Sequence, residues 1–200
     1  MNNDQTNPWI SISDLLSSVV VVLLLMLIFT IISNRVEQKR NRETIFNEIS
    51  STLKSYEENG YLILDINNYV IQLSDITFET ASACISNDYK QILETISQSL
   101  NFHLKKNDGM SVLVEGHSDS RAIRGLIDAC GYFENNFQLS TLRAINVREE
   151  LVRHLPDPHL HKLVGAAGYG DTRLNDQLDP ISKKNRRIEI RLLFVDHLNL

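Results

Sequence analysis

The chain has 200 residues, 42% of them hydrophobic and 22% charged, with a formal net charge of −5 and a pI near 5.7. Once a membrane segment is set aside, that length leaves room for one domain of ordinary size. The acidic balance argues against a nucleic-acid partner, which calls for a basic stripe, and no internal repeat or low-complexity tract stands out.

The first element is apolar. Leu15 to Ile32 reads LLSSVVVVLLLMLIFTII, eighteen residues without a charge. At 1.5 Å per residue such a helix spans about 27 Å, close to the hydrocarbon thickness of a bilayer. A buried core helix of this length would carry a polar stripe. A cleaved signal peptide would have a basic start, a shorter apolar run and an A-x-A-like site after it; Met1 to Ser13 contains no Lys or Arg. The segment reads as an uncleaved signal anchor, with a tail at 1–9 and a transmembrane helix at 10–33.

Asp14 sits one residue before the apolar run, but Trp9, Ile10 and Ile12 precede it. It is either a helix N-cap, a position Asp favours, or a carboxyl group more than one turn inside the span. Inside a membrane an acid is costly and marks an ion path or proton relay. Ser17 and Ser18 fall three and four residues on and share its face, which Val21 and Leu25 continue.

Residues 34–60 are polar, with Ile45, Ile49, Leu53 and Tyr56 at helical spacing and a stop at Asn59-Gly60. This stretch reads as a stalk helix, either paired with a second copy of itself or solvated as a connector. The basic residues Arg35, Lys39, Arg40 and Arg42 follow the span, so charge bias alone would put the downstream domain in the cytoplasm.

The domain at 61–200 alternates strand and helix. Tyr61–Ile66 and Tyr69–Leu73 read as a hairpin around Asn67-Asn68, Asp88–His103 as a helix, and Met110–Glu115 as a buried strand after the Asn107-Asp108-Gly109 turn. Gln138–His154 reads as a helix, and Leu163–Ala167 and Arg187–Val195 as strands. The expected fold class is α/β or α+β in two layers, a mixed sheet packed on helices behind one transmembrane helix. Cys84 and Cys130 would pair as a disulfide in an oxidising compartment and remain two buried thiols in the cytosol. His117 has no second ligand at metal spacing, and no serine triad, Cys/His pair or phosphate loop is evident, so neither metal nor enzyme chemistry is expected.

Three strings carry a resemblance: Val114-Glu115-Gly116-His117-Ser118-Asp119; Asn136-Phe137-Gln138-Leu139-Ser140-Thr141-Leu142-Arg143-Ala144; and Gly168-Tyr169-Gly170, later joined by Asn185-Arg186-Arg187-Ile188-Glu189-Ile190. Together, in this order, they resemble the OmpA-like peptidoglycan-binding family over about Ile71 to Val195. The resemblance implies that Asp119 and Arg143 grip the diaminopimelate of a peptide stem, a carboxylate and a planar guanidinium reading an ammonium and a carboxylate on one carbon. Asn136 matches the family's helix-start position, and Arg187 its last arginine. Sixteen residues separate Asp119 from Asn136, a longer loop than the family's, containing Arg121, Arg124, Cys130, Gly131 and Tyr132.

A W-x-x-x-x-D membrane helix, a stalk and this domain together resemble MotB-type stator subunits. That likeness implies an inner-membrane, single-pass protein with its N-terminus cytoplasmic and its domain periplasmic, against the charge bias. It further implies a homodimer inside a ring of five MotA-like or ZorA-like multi-span subunits, with Asp14, Ser17 and Ser18 on the path of a translocated proton or sodium ion and no other cofactor. The string NPWISISDLL, with its short tail lacking basic residues, is more similar to the ZorB proteins of Zorya anti-phage systems than to flagellar MotB. A passive tether between membrane and wall is the alternative of a different class.

Overall fold

The computed structural model describes residues 8–74, 77–78, 82–123 and 125–195. The expected N-terminal tail, apart from Pro8 and Trp9, and Arg124 of the long loop lie outside the described residues. Contacts divide the chain into two units, Met1–Arg42 and Glu43–Leu200.

Helix α1 runs from Pro8 to Glu58 and belongs to both units. In the first unit the described large apolar side chains, from Trp9 to Val36, are 45% or more exposed. A helix apolar on every side needs a non-aqueous surround, and α1 is long and apolar enough to cross a membrane by length and composition. The helix begins six residues before Asp14, which removes the N-cap reading of that residue. Ser17 Oγ donates to Ser13 O at 2.8 Å and Ser18 Oγ to Leu15 O at 2.7 Å, so both hydroxyl protons are spent within the helix.

In the second unit the same helix is a core element. Ile45, Phe46, Ile49 and Leu53 are 0–4% exposed and belong to the main apolar cluster with Ile92, Leu93, Ile96 and Leu100 of helix α2 (Asn87–Lys106). Thr52 and Ser99 hydroxyls meet at 2.7 Å across this contact. The face read from sequence as a stalk is thus covered within the compact unit Glu43–Leu200.

Five strands form the sheet: β1 (Leu62–Asp65), β2 (Val70–Leu73), β3 (Met110–His117), β6 (Val164–Gly168) and β7 (Arg187–Phe194), in the order β1-β2-β7-β3-β6. All neighbours are antiparallel except β3 and β6. That parallel pair is joined by a crossover through helix α3 (Asn136–Arg153) and the single-turn helix α4 (Pro158–His161), as parallel pairing requires. The expected mixed sheet packed on helices is what the structure has. At the β1–β2 turn Asp65 Oδ1 accepts from the backbone of Asn67 and Asn68, and it is Tyr69 that adopts the left-handed conformation, at φ 53°.

Helix α3 lies unusually close to β3 and β6. A Cβ on Gly116 would sit 2.0 Å from the carbonyl oxygen of Ser140, and one on Gly168 would sit 2.1 Å from Thr141 Oγ1. Two glycines of the recognition strings therefore set the depth at which α3 rests on the sheet. The long loop after Asp119 holds a further hairpin, β4 (Leu126–Asp128) with β5 (Gly131–Phe133), that the sequence pattern did not disclose.

Candidate functional site

Asp119 follows the end of β3, where the parallel pairing with β6 runs on: Tyr169 N donates to Gly116 O and Ser118 N to Gly170 O. Asp119 is 5% exposed. Arg186 Nη1 lies 2.6 Å from Asp119 Oδ2, and the backbone of Arg121 donates to Oδ1 at 3.2 Å. Asn136, at the first turn of α3, reaches back with Nδ2 to the carbonyls of Asp119 at 3.0 Å and Arg121 at 2.8 Å. Its Oδ1 and the Ser118 hydroxyl are buried without a hydrogen-bond partner among the described residues. A carboxylate has about four acceptor positions, so Asp119 can take an incoming ammonium beside the donors it already holds.

Arg143 lies two turns further along α3 and is 5% exposed. Its Nε donates to Ser82 O at 3.0 Å, and its guanidinium stands 4.7 Å from the Phe78 ring centroid, a cation–π distance. One turn on, Asn146 Nδ2 donates to Ala83 O at 2.8 Å. Cys84 is joined to Cys130 by a disulfide, with Cα atoms 5.2 Å apart. The long loop is therefore fastened to the segment on which Arg143 rests.

Arg187 is placed elsewhere. It is 7% exposed and pairs through Nε with Glu189 Oε1 at 2.8 Å, while its Nη1 donates to Arg173 O. It belongs to a charged layer on the sheet face turned away from α3, with Glu115, His117 and Arg191. Arg191 bonds Glu115 Oε2 at 2.8 Å and Glu189 Oε2 at 2.6 Å. This layer floors an open cleft of about 610 Å³ whose rim is the β1–β2 hairpin. The immediate predecessor of Arg187, Arg186, is the one that reaches Asp119, whose Oδ2 also has Arg121 Nε at 3.8 Å. Asn185, fully buried, presents Arg186 by binding three carbonyls of the preceding loop, those of Asp176, Asp179 and Pro180.

His117 is 2% exposed, stacks on Tyr169, and is held down at about 4 by burial, with the Arg187 guanidinium adding to the effect and Glu189 opposing it. Donor atoms of Glu115, His117 and Glu189 lie within 4.8 Å of one another, a spacing that could hold a metal ion. The surroundings disfavour it. Both carboxylates are already taken by arginines, and the burial that keeps His117 neutral also penalises an added cation.

The family model described as the OmpA family matches residues 77–187. No curated protein matches the chain. Among solved structures, the chain is similar to the cell wall anchor of the T6SS from Pseudomonas aeruginosa, at 26% identity and a TM-score of 0.59, covering 74% of this chain and 97% of that one. It is also similar in fold to a putative MotB like protein from Desulfovibrio vulgaris, at 17% identity and a TM-score of 0.61, covering 80% and 98%.

Proposed function

The chain belongs to the OmpA family, and from that premise we propose that it is the wall-gripping subunit of an ion-driven inner-membrane stator. The observation that carries the reading is that one chain holds both an acid inside an apolar helix and a domain where Asp119 meets Asn136 and Arg186, with Arg143 two turns along α3. In this reading the domain lies in the periplasm and holds the diaminopimelate-bearing stem of peptidoglycan, Asp119 taking the ammonium and Arg143 the carboxylate. The Cys84–Cys130 disulfide suits an oxidising compartment.

Asp14 carries the translocated proton or sodium ion. Ser17 and Ser18, whose hydroxyl protons are donated to the backbone, offer it lone pairs. The rest of the pathway comes from a multi-span MotA-like or ZorA-like partner around a dimer of this chain. Within that class the reading favours a Zorya-type defence role, resting on the string around Asp14. The likeness to a T6SS cell wall anchor supports a second reading, a passive tether with no ion path.

Asp14→Asn separates the two. With the protein confirmed in the membrane, the stator reading expects loss of phage protection with motility unchanged, and Asp119→Ala and Arg143→Ala test the wall grip independently. Protection that survives Asp14→Asn leaves the tether.

A further inference from the structure

The cleft on the sheet face turned away from α3 takes no part in the site at Asp119, and its floor holds hydrogen-bonding groups that the protein leaves unmet. His117 is 2% exposed and lines the cleft, yet neither Nδ1 nor Nε2 has a hydrogen-bond partner among the described residues. Glu189 Oε1 stops 3.9 Å from Nε2, beyond bonding distance. A neutral imidazole has one donor and one acceptor to satisfy, and leaving them buried without partners is costly.

The neighbours repeat the pattern. Strand register sets Glu115 opposite Glu189 and His117 opposite Arg187. Arg191 spans the two carboxylates through their Oε2 atoms, at 2.8 and 2.6 Å, which leaves Glu115 Oε1 with Arg173 Nη1 at 3.9 Å. The Arg173 side chain is 57% exposed, lies 3.6 Å from the Tyr169 ring centroid, and makes no hydrogen bond among the described residues. The unmet groups are therefore of both kinds: donors on Arg173 and His117, acceptors on Glu115 and His117. Charge balances as well, since Arg173, Arg187 and Arg191 share the lining with Asp65, Glu115 and Glu189. A simple anion would meet the carboxylates, and a simple cation the guanidiniums. A hydroxyl donates and accepts at once, and suits this floor. On the wall, Ile63 at 58% exposed and Ile66 at 40% offer an apolar face beside the amides of Asn67 and Asn68. The volume of about 610 Å³ lies within the usual size of small-molecule sites.

We propose that this cleft is a second binding site, for a neutral saccharide, separate from the one at Asp119. Ring hydroxyls bond Arg173 and Glu115, the hydroxyl that reaches deepest meets His117, and the apolar face of the ring packs on Ile63 and Ile66. The inference stands whether or not Asp119 and Arg143 hold a peptide stem.

The test uses the full chain in lipid nanodiscs. Diacetylchitobiose and cellobiose are the neutral probes, with succinate and putrescine as anionic and cationic controls, each titrated by calorimetry. The expected result is binding of a neutral disaccharide and none of either control. Arg173→Ala and Glu115→Gln should each weaken it by about tenfold, the loss of one hydrogen bond to a charged group. Asp119→Ala should bind the sugar as wild type does. With isotope-labelled histidine, the His117 ring nitrogens should shift on saturation. Arg173→Ala alters an exposed side chain and decides the matter if Glu115→Gln does not fold. Absence of sugar binding by the folded wild type, meaning that water alone fills the cleft, overturns the proposal. So does wild-type affinity in Arg173→Ala, loss of sugar binding in Asp119→Ala, or tighter binding of succinate or putrescine than of either sugar.

Discussion

Arg186 Nη1 sits 2.6 Å from Asp119 Oδ2, while its neighbour Arg187 turns to the opposite face of the sheet and pairs with Glu189. Two adjacent arginines thus serve two different sites, and single substitutions should tell them apart. Removing one partner of a buried pair costs about 3–5 kcal/mol. Arg187, 7% exposed, approaches that range. The Arg186 side chain is 18% exposed, and the Arg121 backbone also holds Asp119, so its loss is expected to cost roughly 1–2 kcal/mol. Urea unfolding should show Arg187→Ala as the more destabilising change, and sacculus binding should show Arg186→Ala as the more damaging.

Gly116→Ala puts a methyl group 2.0 Å from the backbone oxygen of Ser140, which no rotamer change relieves. Helix α3 must lift, carrying Asn136 and Arg143 with it. The expected loss is about 2–4 kcal/mol, together with weaker wall binding. A Gly116→Ala protein with unchanged urea midpoint would show that α3 is not seated as described.

Acid should weaken the domain through His117. Its folded value near 4 lies below the ordinary 6.5, so as pH falls the unfolded chain takes up a proton that the folded chain refuses. Stability from this residue is complete above about pH 6.5 and declines down to about pH 4. The total change is on the order of 3 kcal/mol. His117→Gln should flatten that part of the stability–pH curve; a curve as steep as wild type would assign the decline to other groups.

A fragment beginning at residue 61 should fail to fold, whereas one beginning at residue 43 should fold. The former lacks Ile45, Phe46, Ile49 and Leu53, all 0–4% exposed. At roughly 1.5–3 kcal/mol for each buried side chain, their loss removes on the order of 6–12 kcal/mol, as much as the whole stability of many domains. Circular dichroism of the two fragments checks this.

Strands and helices with clear periodicity were legible in the sequence, and so was the hairpin at Asn67-Asn68, because local spacing alone decides them. The glycines at 116 and 168 were legible only as letters of a motif; that each is a contact with α3 needs the third dimension. The pairing of Cys84 with Cys130 was left open, since composition does not decide redox compartment. Arg187, matched to the family's last arginine, lies in the charged layer while Arg186 meets Asp119, because adjacent residues at a strand start point opposite ways. The alternation in Arg187-Ile188-Glu189-Ile190-Arg191 was the available clue, placing Arg187, Glu189 and Arg191 on one face. The supposed stalk shows the limit of amphipathic pattern: Ile45, Ile49 and Leu53 announce a covered face without saying what covers it. Hairpin β4–β5 was missed because three-residue strands carry no period.

The last turns of α1 are not a tether tied to the outside of a folded body; from Glu43 on they are one of its structural members. Force arriving along the chain at that point meets interdigitated side chains of α1 and α2, which must slide past one another together before anything yields. Pull applied at Glu43 is expected to load that shared α1–α2 core in shear, along the packed face rather than across it.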